Sequence, residues 1–323
     1  MADPRVLYIT GWMRCGSTLL GNVLGELPGV LHVGELHYLW RNGVLGAGTN
    51  STCGCGSDVT SCGLWSRVLA EGGDGRHETA RRMVRAQHAL LRTRHIRARL
   101  TGSRGTAHAV PTADAAGTVD TVDATLARTA AIYRRLAGLG GERLIVDGSK
   151  YPAEAAALLG RSDLDVRVLH MVRDPRPTAY SYKRAKDYID PMSPARSSAY
   201  WTAFNLASEL IGRAHPGRYL RVRHEDLCRD PRRVVGTIMR FAGLDGDAPV
   251  DGTGRVSLGS NHTVTGNPDR LSTGEAVIRA DERWRAGLTA REIVAATGPA
   301  LPLLARYGYP LLPIEEAASW ISG

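Results

Sequence analysis

The segment GWMRCGSTLL near the N-terminus combines the residue types of an anion-binding loop. Gly11 and Gly16 are five positions apart, and Arg14, Ser17 and Thr18 place a guanidinium and two hydroxyls beside them. A glycine loop between a strand and a helix points backbone N–H groups and the positive helix end at phosphate or sulfate oxygens. The lysine that follows the second glycine in nucleoside-triphosphate loops is replaced here by serine. We therefore expect a ligand with a single phosphate at this loop rather than a triphosphate with its metal ion.

A second candidate anion site follows a later strand, in the segment VRDPRPTAYS. Arg173 stands where the strand ends, and Ser181 lies in the helix predicted after Pro175. The carboxyl ends of parallel strands share one edge of a sheet, so we expect this pair to reach an anionic group near the first one. Taken alone, Arg173 could be an ordinary surface arginine and Ser181 an ordinary serine on a helix. The first loop, taken alone, could be a strand–turn–helix connection with capping hydroxyls. Together the two sites indicate a nucleotide phosphorylated at two places.

Strand-like and helical segments alternate along the chain, which is how the two sites would be positioned. Strands are predicted at residues 5–10, 143–150, 165–175 and 218–223. Helices are predicted at residues 16–27, 77–100, 122–138, 176–188, 195–214 and 231–242, with two more near the C-terminus. This order predicts an α/β fold with a doubly wound parallel sheet and helices on both faces. We expect a helical and loop insertion at about 43–140 within a single domain of residues 1–323.

The composition limits the classes of partner. The chain has 323 residues, a net charge of +9 and a pI of about 9.6, which suits small anionic ligands. No basic run is interleaved with aromatic residues, so nucleic acid is not an expected partner. No apolar stretch is long enough to span a membrane, and the N-terminus lacks a signal pattern. We therefore expect a cytoplasmic protein without a membrane span, and a homo-oligomer stays open.

Three of the five cysteines are close together in CGCGSDVTSC, at positions 53, 55 and 62. With a fourth ligand such as His37 they could bind Zn²⁺, but the C-x-C-x₆-C spacing lacks the paired C-x-x-C knuckles of typical zinc sites. A cysteine bridge is a second interpretation. Free thiols in a structured loop are the favoured one.

These segments resemble the sulfotransferases that use 3′-phosphoadenosine 5′-phosphosulfate (PAPS), and most closely the bacterial and tyrosylprotein branch. RCGSTLL is similar to the loop that binds the 5′-phosphosulfate, and VRDPRPTAYS to the 3′-phosphate motif. The resemblance covers about residues 5–40 and 143–285. It implies that PAPS is bound, and adenosine 3′,5′-bisphosphate released, by residues of three segments: Arg14, Cys15, Gly16, Ser17, Thr18 and Leu19; Arg173 and Ser181; and, less strongly, Ser260, Asn267 and Arg270.

Two catalytic residues are expected, Glu35 from the resemblance and Lys150 from its residue type and its place at a strand end. Glu35, twenty-one residues after Arg14 in HVGELHYLW, matches the glutamate of that branch and would be the general base. Lys150, in DGSKYP, is one of only three lysines among 41 Lys and Arg residues, and its compact ammonium suits the departing bridging oxygen. The transfer requires no metal. His224 stands where the cytosolic branch has a tyrosine, which puts an adenine contact there in doubt.

Two other functions stay open from the sequence. A P-loop kinase or NTPase would hold Mg²⁺ with Thr18 and Asp147, but the missing lysine and the Arg173–Ser181 pair argue against it. A non-catalytic module for anions or nucleic acid would explain the charge alone. For the sulfotransferase, the expected acceptor is a hydroxyl of a small molecule, sugar or lipid, and residues 43–140 are expected to build its pocket.

Overall fold

The computed structural model describes residues 3–48, 50–70, 75–101, 121–141, 144–183 and 190–311. Their Cα positions separate into two compact units. The first contains the described residues up to 172 and from 204 to 280, and the second those from 173 to 203 and from 281 onward. Part of the insertion predicted at about 43–140, including residues 102–120, and the end of the helix predicted at 176–188 lie outside the described residues. The expectation of a single domain stays a prediction.

A five-stranded parallel sheet forms the centre of the first unit, with the strand order β2-β3-β1-β4-β5. The strands are β1 (Arg5–Thr10), β2 (Val30–Gly34), β3 (Leu144–Lys150), β4 (Asp165–Val172) and β5 (Tyr219–Arg223). The predicted α/β class and parallel sheet are confirmed. Strand β2 is not predicted from the sequence, because VLHVG is short and carries a histidine and a glycine.

Both faces of the sheet are buried, and the central strand β1 accordingly has buried apolar or aromatic side chains at each position from Val6 to Ile9. In β1, Val6 and Tyr8 belong to one apolar cluster, whereas Leu7 and Ile9 belong to the other. This alternation follows from the two-residue period of a strand, which sends neighbouring side chains to opposite faces. Helices therefore pack on both faces, as the sequence indicates.

The helices largely follow the predicted ranges. They are α1 (Ser17–Gly25), α2 (Trp65–Val68), α3 (Arg76–Leu90), α4 (Ile96–Leu100), α5 (Val122–Gly140), α6 (Pro152–Leu159), α7 (Pro175–Lys183), α8 (Pro194–Ala214), α9 (His224–Arg229), α10 (Pro231–Ala242), α11 (Trp284–Gly287), α12 (Ala290–Thr297) and α13 (Leu301–Leu304). The single helix predicted at 77–100 is wrong, because α3 ends at Leu90 and a new helix starts at Ile96. None of the helices in the described part of the chain combines the length and apolar character that a membrane crossing needs.

Two further strands lie in the segment that the sequence marked only as rich in glycine and turns. β6 (Arg255–Leu258) and β7 (Gly274–Val277) pair antiparallel, and residues 259–273 connect them. Val264 in this connection also forms a bridge with Gly34 at the end of β2. The connection therefore passes beside the edge strand of the main sheet.

The second unit contains α7, the first half of α8 and the helices from α11 onward. Nζ of Lys183 lies 3.0 Å from Oε2 of Glu292, which ties α7 to α12. The Trp201 indole packs edge-on against Tyr307, with 5.8 Å between ring centroids. The first of these contacts connects the exposed end of the helix that carries Ser181 to α12, and the second connects α8 to the C-terminal helices.

Candidate active site

The loop after β1 is held closely against its neighbours by its two glycines. Gly11 has a φ of +135°, and a Cβ there would overlap the carbonyl oxygen of Met171 in β4. Gly16 has a φ of +93°, and its Cβ would lie 2.5 Å from Nδ1 of His224. A side chain at either position would be both strained and obstructed. The glycines that define the loop in the sequence thus also fix its path.

Helix α1 begins directly at the end of this loop. The N–H of Leu20 donates to the carbonyl oxygen of Gly16 at 3.1 Å. The N-cap residue is Gly16 itself, which has no side chain that could cap the helix. The N–H groups of the first turn therefore have no partner within the helix and point toward the loop. Ser17 is buried and Thr18 is half-buried at this N-terminus. This arrangement is suited to binding an anion, and the predicted contacts of the loop with a nucleotide stay predictions.

Two other residues of the predicted loop have side chains that pack in the apolar core. The side chain of Cys15 is buried in the apolar cluster on one face of the sheet, and Leu19 packs against the same cluster. Their predicted contacts with the nucleotide can therefore involve only N–H groups. The side chain of Arg14 is half-buried.

Glu35 follows the last residue of β2. Its N–H donates to the carbonyl oxygen of Val264 at 2.8 Å, and the N–H of Val264 donates to Val33 at 2.8 Å. The carboxylate is buried, and its Oε1 accepts a hydrogen bond from Nζ of Lys150. The two predicted catalytic residues thus form a buried ion pair.

Lys150 reaches this position from the end of β3, the neighbour of β2 in the sheet. Its Nζ also donates to the carbonyl oxygen of Gly148 at 3.0 Å. The residue has a φ of +74°, a conformation that costs a non-glycine residue about 1–3 kcal/mol. Since β2 and β3 are adjacent and parallel, their carboxyl ends bring the carboxylate and the ammonium together.

A small cavity joins the loop to this ion pair. It includes four of the predicted site residues from the loop, β2 and β3, together with Arg270. Its lining is Ser17, Thr18, His32, Gly34, Glu35, Gly148, Lys150, Thr265, Gly266 and Arg270. The sequence analysis did not single out Thr265 and Gly266, which carry no pattern of their own.

Backbone strain is concentrated around this cavity. Among the described residues, the non-glycine residues with positive φ are Arg14 at +70°, Lys150 at +74° and Thr265 at +53°. One lies in the loop and the other two line the cavity. Strain of this kind persists where the surrounding structure enforces it, which is common at functional sites.

Arg270 has a structural role in addition to its place in the cavity lining. Its guanidinium is buried and donates to the carbonyl oxygens of Thr263 at 3.2 Å and Thr52 at 2.8 Å, and to Oδ1 of Asn50 at 2.9 Å. It therefore ties the β6–β7 connection to the start of the insertion. Its contact with a nucleotide stays a prediction.

The other two residues predicted in this connection lie nearer to solvent. The Asn267 side chain donates a hydrogen bond to the carboxylate of Asp269. Ser260 is exposed, two residues before His262. Their contacts with a nucleotide also stay predictions.

The predicted 3′-phosphate pair belongs to the second unit. Arg173 directly follows β4, and its carbonyl oxygen accepts a hydrogen bond from Nε1 of Trp201 at 2.8 Å. Ser181 lies half-buried in α7. Arg283 holds the pKa of the nearby Asp281 at about 2, and Arg173 adds to this effect. A shared ligand for this pair and the loop stays a prediction.

Asp147 does not have the environment of a magnesium ligand. It is buried in β3, and its carboxylate accepts hydrogen bonds from the hydroxyl of Tyr133 at 2.6 Å and from the backbone N–H of Ser149 at 2.8 Å. Burial raises the pKa of Asp147 to about 6, although these hydrogen bonds lower it. It is absent from the lining of the cavity that contains Thr18. The geometry argues against the Mg²⁺-dependent alternative.

His37 is engaged with a buried carboxylate next to the candidate site. Its Nδ1 lies 2.7 Å from Oε2 of Glu154, which also accepts a hydrogen bond from Tyr8 at 3.2 Å. The backbone N–H of His37 donates to the hydroxyl of Ser149 at 2.9 Å. The suggestion that His37 completes a metal site with the cysteines is therefore wrong. An imidazole held by a carboxylate is instead a common arrangement for proton transfer.

The cysteines of the insertion meet a different histidine. The sulfur atoms of Cys53, Cys55 and Cys62 and a ring nitrogen of His262 all lie within 4.8 Å of one another. The three cysteines are not joined by disulfide bonds. His262 is not predicted from the sequence as a partner of the cysteines, because some two hundred residues separate it from them and no local spacing connects them.

A larger cavity opens beside the segment that follows Glu35. Its volume is about 470 Å³, and it is lined by His37, Tyr38, Arg41, Val84, Arg85, Gln87, His88 and Arg92. The hydroxyl of Tyr38 is hydrogen-bonded to that of Tyr151 at 2.8 Å, and the Arg92 guanidinium lies 5.5 Å from the centre of the Tyr151 ring. This cavity thus lies next to the residue that follows Lys150, and α3 of the insertion forms one wall.

Comparison with known proteins gives a consistent result. Residues 5–248 match the model of the sulfotransferase family. Human carbohydrate sulfotransferase 3 is 30% identical over 171 residues, covering 46% of this chain and 34% of the human protein. The chain therefore spans about a third of the length of the curated relative it matches.

Two solved structures are similar in fold over nearly the whole chain. The sulfotransferase domain of the Synechococcus PCC 7002 olefin synthase has a TM-score of 0.57 and 23% identity, covering 97% of this chain and 98% of that domain. The sulfotransferase domain from the curacin biosynthetic pathway has a TM-score of 0.50 and 14% identity, covering 97% of this chain and 100% of that domain. At these identities the likeness establishes the fold alone.

Proposed function

Because the chain belongs to the sulfotransferase family, we propose that it moves a sulfuryl group from PAPS to a hydroxyl group of an acceptor. The observation that carries this proposal is the cavity in which the hydroxyl-bearing residues of the loop meet the pair Glu35 and Lys150. Sulfuryl transfer needs donors for the sulfate oxygens, a cation at the leaving oxygen and a base for the acceptor proton. The residues around this one cavity offer all three.

The donor nucleotide would be bound at two points. The N–H groups at the start of α1, with Ser17, Thr18 and the Arg14 guanidinium, would hold the 5′-phosphosulfate. Arg173 and Ser181 would bind the 3′-phosphate. No Mg²⁺ is needed in this scheme, since a single phosphosulfate carries less charge than a triphosphate.

The transfer step follows from the chemistry of the paired side chains. The acceptor oxygen bonds to sulfur while the bond from sulfur to the bridging oxygen breaks, and adenosine 3′,5′-bisphosphate departs. Lys150 neutralises the charge that develops on the bridging oxygen. Glu35 takes the proton that the acceptor hydroxyl loses.

The Glu35–Lys150 ion pair also suggests an order of events. In the protein without donor, the ammonium and the carboxylate neutralise each other in a buried place. An incoming phosphosulfate attracts Nζ of Lys150, which leaves the Glu35 carboxylate available to the acceptor. The base would thus become available only when the donor is bound, which limits unproductive reactions.

His37 is a second candidate for the general base. Its ring is oriented by Glu154 through Nδ1, and His37 lines the larger cavity. A neutral imidazole fixed in this way accepts a proton at its other nitrogen, Nε2. Glu35 is preferred because it shares the smaller cavity with the loop and Lys150.

The acceptor would occupy the larger cavity. Three arginines and two histidines line it, namely Arg41, Arg85, Arg92, His37 and His88. A hydroxyl compound that also carries negative charge, such as an acidic sugar or lipid, fits such a lining better than a neutral alcohol does. This refines the expectation that the insertion builds the acceptor pocket.

The direct test is a transfer assay with radiolabelled PAPS in buffer freed of Mg²⁺ on a chelating resin. We expect label to move to members of a panel of sugar, lipid and natural-product alcohols, acidic members first, and the donor to be slowly hydrolysed without acceptor. Phosphoryl transfer from Mg-ATP in place of sulfuryl transfer would support the kinase alternative. Salt-sensitive oligonucleotide binding with no turnover of PAPS would support the binding module.

A further inference from the structure

A cluster of four metal-type ligands lies outside the residues that the proposed reaction uses. The sulfur atoms of Cys55 and Cys62 are 3.7 Å apart. Nδ1 of His262 lies 3.2 Å from the sulfur of Cys62 and 3.7 Å from that of Cys53. Cys53 and Cys62 are buried, and the other two residues are half-buried.

These separations agree with those of a tetrahedral zinc site. Bonds of about 2.3 Å to sulfur and about 2.05 Å to nitrogen place two sulfur ligands about 3.8 Å apart and sulfur and nitrogen about 3.6 Å apart. The observed distance of 3.7 Å between sulfur atoms matches the first value. The two sulfur–nitrogen distances of 3.2 and 3.7 Å lie on either side of the second. A disulfide would require a sulfur–sulfur distance of about 2.05 Å and would leave the third thiol without a role.

The local backbone is folded to present the three sulfur atoms. The N–H of Cys53 donates to the carbonyl oxygen of Ser57 at 2.8 Å, and the N–H of Gly56 donates back to Cys53 at 2.9 Å. Gly56 has a φ of +88°, which lets the chain reverse directly after Cys55. The N–H of Cys62 then bonds to Asp58 at 2.9 Å. The C-x-C-x₆-C segment is therefore a closed turn with its thiols on one side.

His262 is brought to this turn by contacts on both sides of it. The Trp65 indole donates to the carbonyl oxygen of His262 at 2.7 Å. The N–H of Gly54 donates to Thr263 at 2.9 Å, and Cys53 forms a bridge with Val264. The connection between β6 and β7 thus runs along the cysteine turn.

The charge of the surroundings also fits a zinc–thiolate centre. Three thiolates, a neutral imidazole and Zn²⁺ carry a net charge of about −1. The buried guanidinium of Arg270 donates to the carbonyl oxygen of Thr52, the residue before Cys53, at 2.8 Å. A buried arginine thus lies beside the centre as its counter-charge.

We propose that Cys53, Cys55, Cys62 and His262 bind one Zn²⁺ ion, which fastens the β6–β7 connection to the insertion. Four protein ligands leave no position for a substrate, so the ion is structural and takes no part in the transfer. The connection it fixes supplies Thr265, Gly266 and Arg270 to the small cavity. The ion would thereby hold one wall of the candidate active site.

The test is the metal content of the full-length protein, expressed with added zinc and purified without a metal-binding tag. We expect about one zinc per chain by plasma mass spectrometry, and Cys53, Cys55 and Cys62 protected from a thiol reagent until the protein is unfolded. Cys55→Ser and His262→Gln should each lose most of the zinc. Cys228→Ser, which changes a cysteine outside the cluster, should retain it.

A cobalt-substituted sample gives a readout that does not depend on how the variants fold. Tetrahedral thiolate coordination predicts intense visible absorption that zinc abolishes. The proposal would be overturned if the wild-type protein contained less than roughly a tenth of an equivalent of zinc per chain and its thiols were reactive. A structural site that binds tightly should be filled well above that level. A disulfide in the intact protein, or iron in place of zinc, would also overturn the proposal. None of these results would affect the sulfotransferase assay, so the two proposals fail separately.

Discussion

The charge pair Glu35–Lys150 accounts for most of the chemistry proposed at the scale of single residues. Both side chains are buried, and each lies where a strand ends. The rarity of lysine made Lys150 visible in the sequence, whereas Glu35 was singled out only through the family resemblance. Their direct contact was not predicted, because sequence spacing does not show which strands are neighbours.

The general base can be assigned by comparing two variants. Glu35→Gln keeps the size of the side chain but removes the proton acceptor, so we expect kcat to fall by about 10²–10⁴-fold. His37→Gln should change kcat less than tenfold. Binding of adenosine 3′,5′-bisphosphate should persist in both variants, which calorimetry can check. The opposite ranking of the two kcat values would make the His37–Glu154 pair the base.

Lys150 should affect the chemical step more than donor binding. Lys150→Met removes the charge at the leaving oxygen, and we expect kcat to fall by about 10²–10³-fold. The matched control is Lys183→Met, which removes an exposed lysine paired with Glu292 and should keep kcat within twofold (about 0.4 kcal/mol). Steady-state assays with saturating PAPS would measure both. An unchanged kcat in Lys150→Met would remove the lysine from the mechanism.

At the scale of elements, the loop depends on two close approaches that only glycine allows. Gly11→Ala and Gly16→Ala should each lower the free energy of unfolding by about 1–3 kcal/mol and weaken donor binding at least tenfold (roughly the effect of 1.4 kcal/mol). Gly217→Ala is the control, because a Cβ at that position would meet no heavy atom of the described residues within 4 Å. Denaturant unfolding and calorimetry would provide the two measurements. Full donor affinity in both loop variants would show that the path of the loop is unimportant.

The buried histidine of β4 should make stability depend on pH. Burial lowers the pKa of His170 to about 3, and its nitrogens contact Asn205 at 2.7 Å and Tyr219 at 2.6 Å. Because the unfolded chain binds this proton near pH 6.5, the stabilisation is complete above that value and is lost as the pH falls toward 3.

The variant His170→Gln isolates this effect from other groups that titrate. Between pH 4 and 6 the slope of the unfolding free energy should fall by about 1.4 kcal/mol per pH unit relative to wild type. The buried Asp147, with a pKa raised to about 6, contributes in the opposite sense but equally to both proteins. His77→Gln, at an exposed position, should leave the slope unchanged. Parallel curves for wild type and His170→Gln would contradict the assignment.

The elements themselves were predictable where patterns were long. The apolar run of β1 and the range of α10 are marked clearly in the sequence, and the structure has both. β2 was missed because five residues with a histidine and a glycine give no clear period. The break after Leu90 was missed because arginines continue through it. Both are cases in which tertiary contacts, not local propensity, decide the structure.

At the scale of the whole molecule, the candidate site depends on contacts between distant segments. Residues from the loop, β2, β3 and the β6–β7 connection line one cavity, and the cysteine turn meets His262 on that same connection. The sequence predicted the loop and β3 from motifs and strand order, and Glu35 through the family resemblance, but it did not predict β2. It could not predict the pairing of residue 262 with residues 53–62, because that pairing follows from the path of the connection along the sheet edge.

At this scale the structure also shows where part of the net charge of +9 is located. The sequence indicates only a preference for anions. The structure places three arginines and two histidines around the larger cavity, beside the residues that follow Glu35. Under the proposed function, this positive lining would favour an acceptor that carries negative charge.

The central claim is that the loop without a lysine binds a nucleotide phosphorylated at the 3′ and 5′ positions without a divalent metal ion. Calorimetric titration with adenosine 3′,5′-bisphosphate in resin-treated, Mg²⁺-free buffer tests it most directly. The account predicts one site per chain, with affinity at least tenfold (about 1.4 kcal/mol) higher than for adenosine 5′-phosphate, and with that advantage lost in Arg173→Ala. Equal affinity for the two nucleotides, or tight binding of ATP that appears only when Mg²⁺ is added, would contradict it.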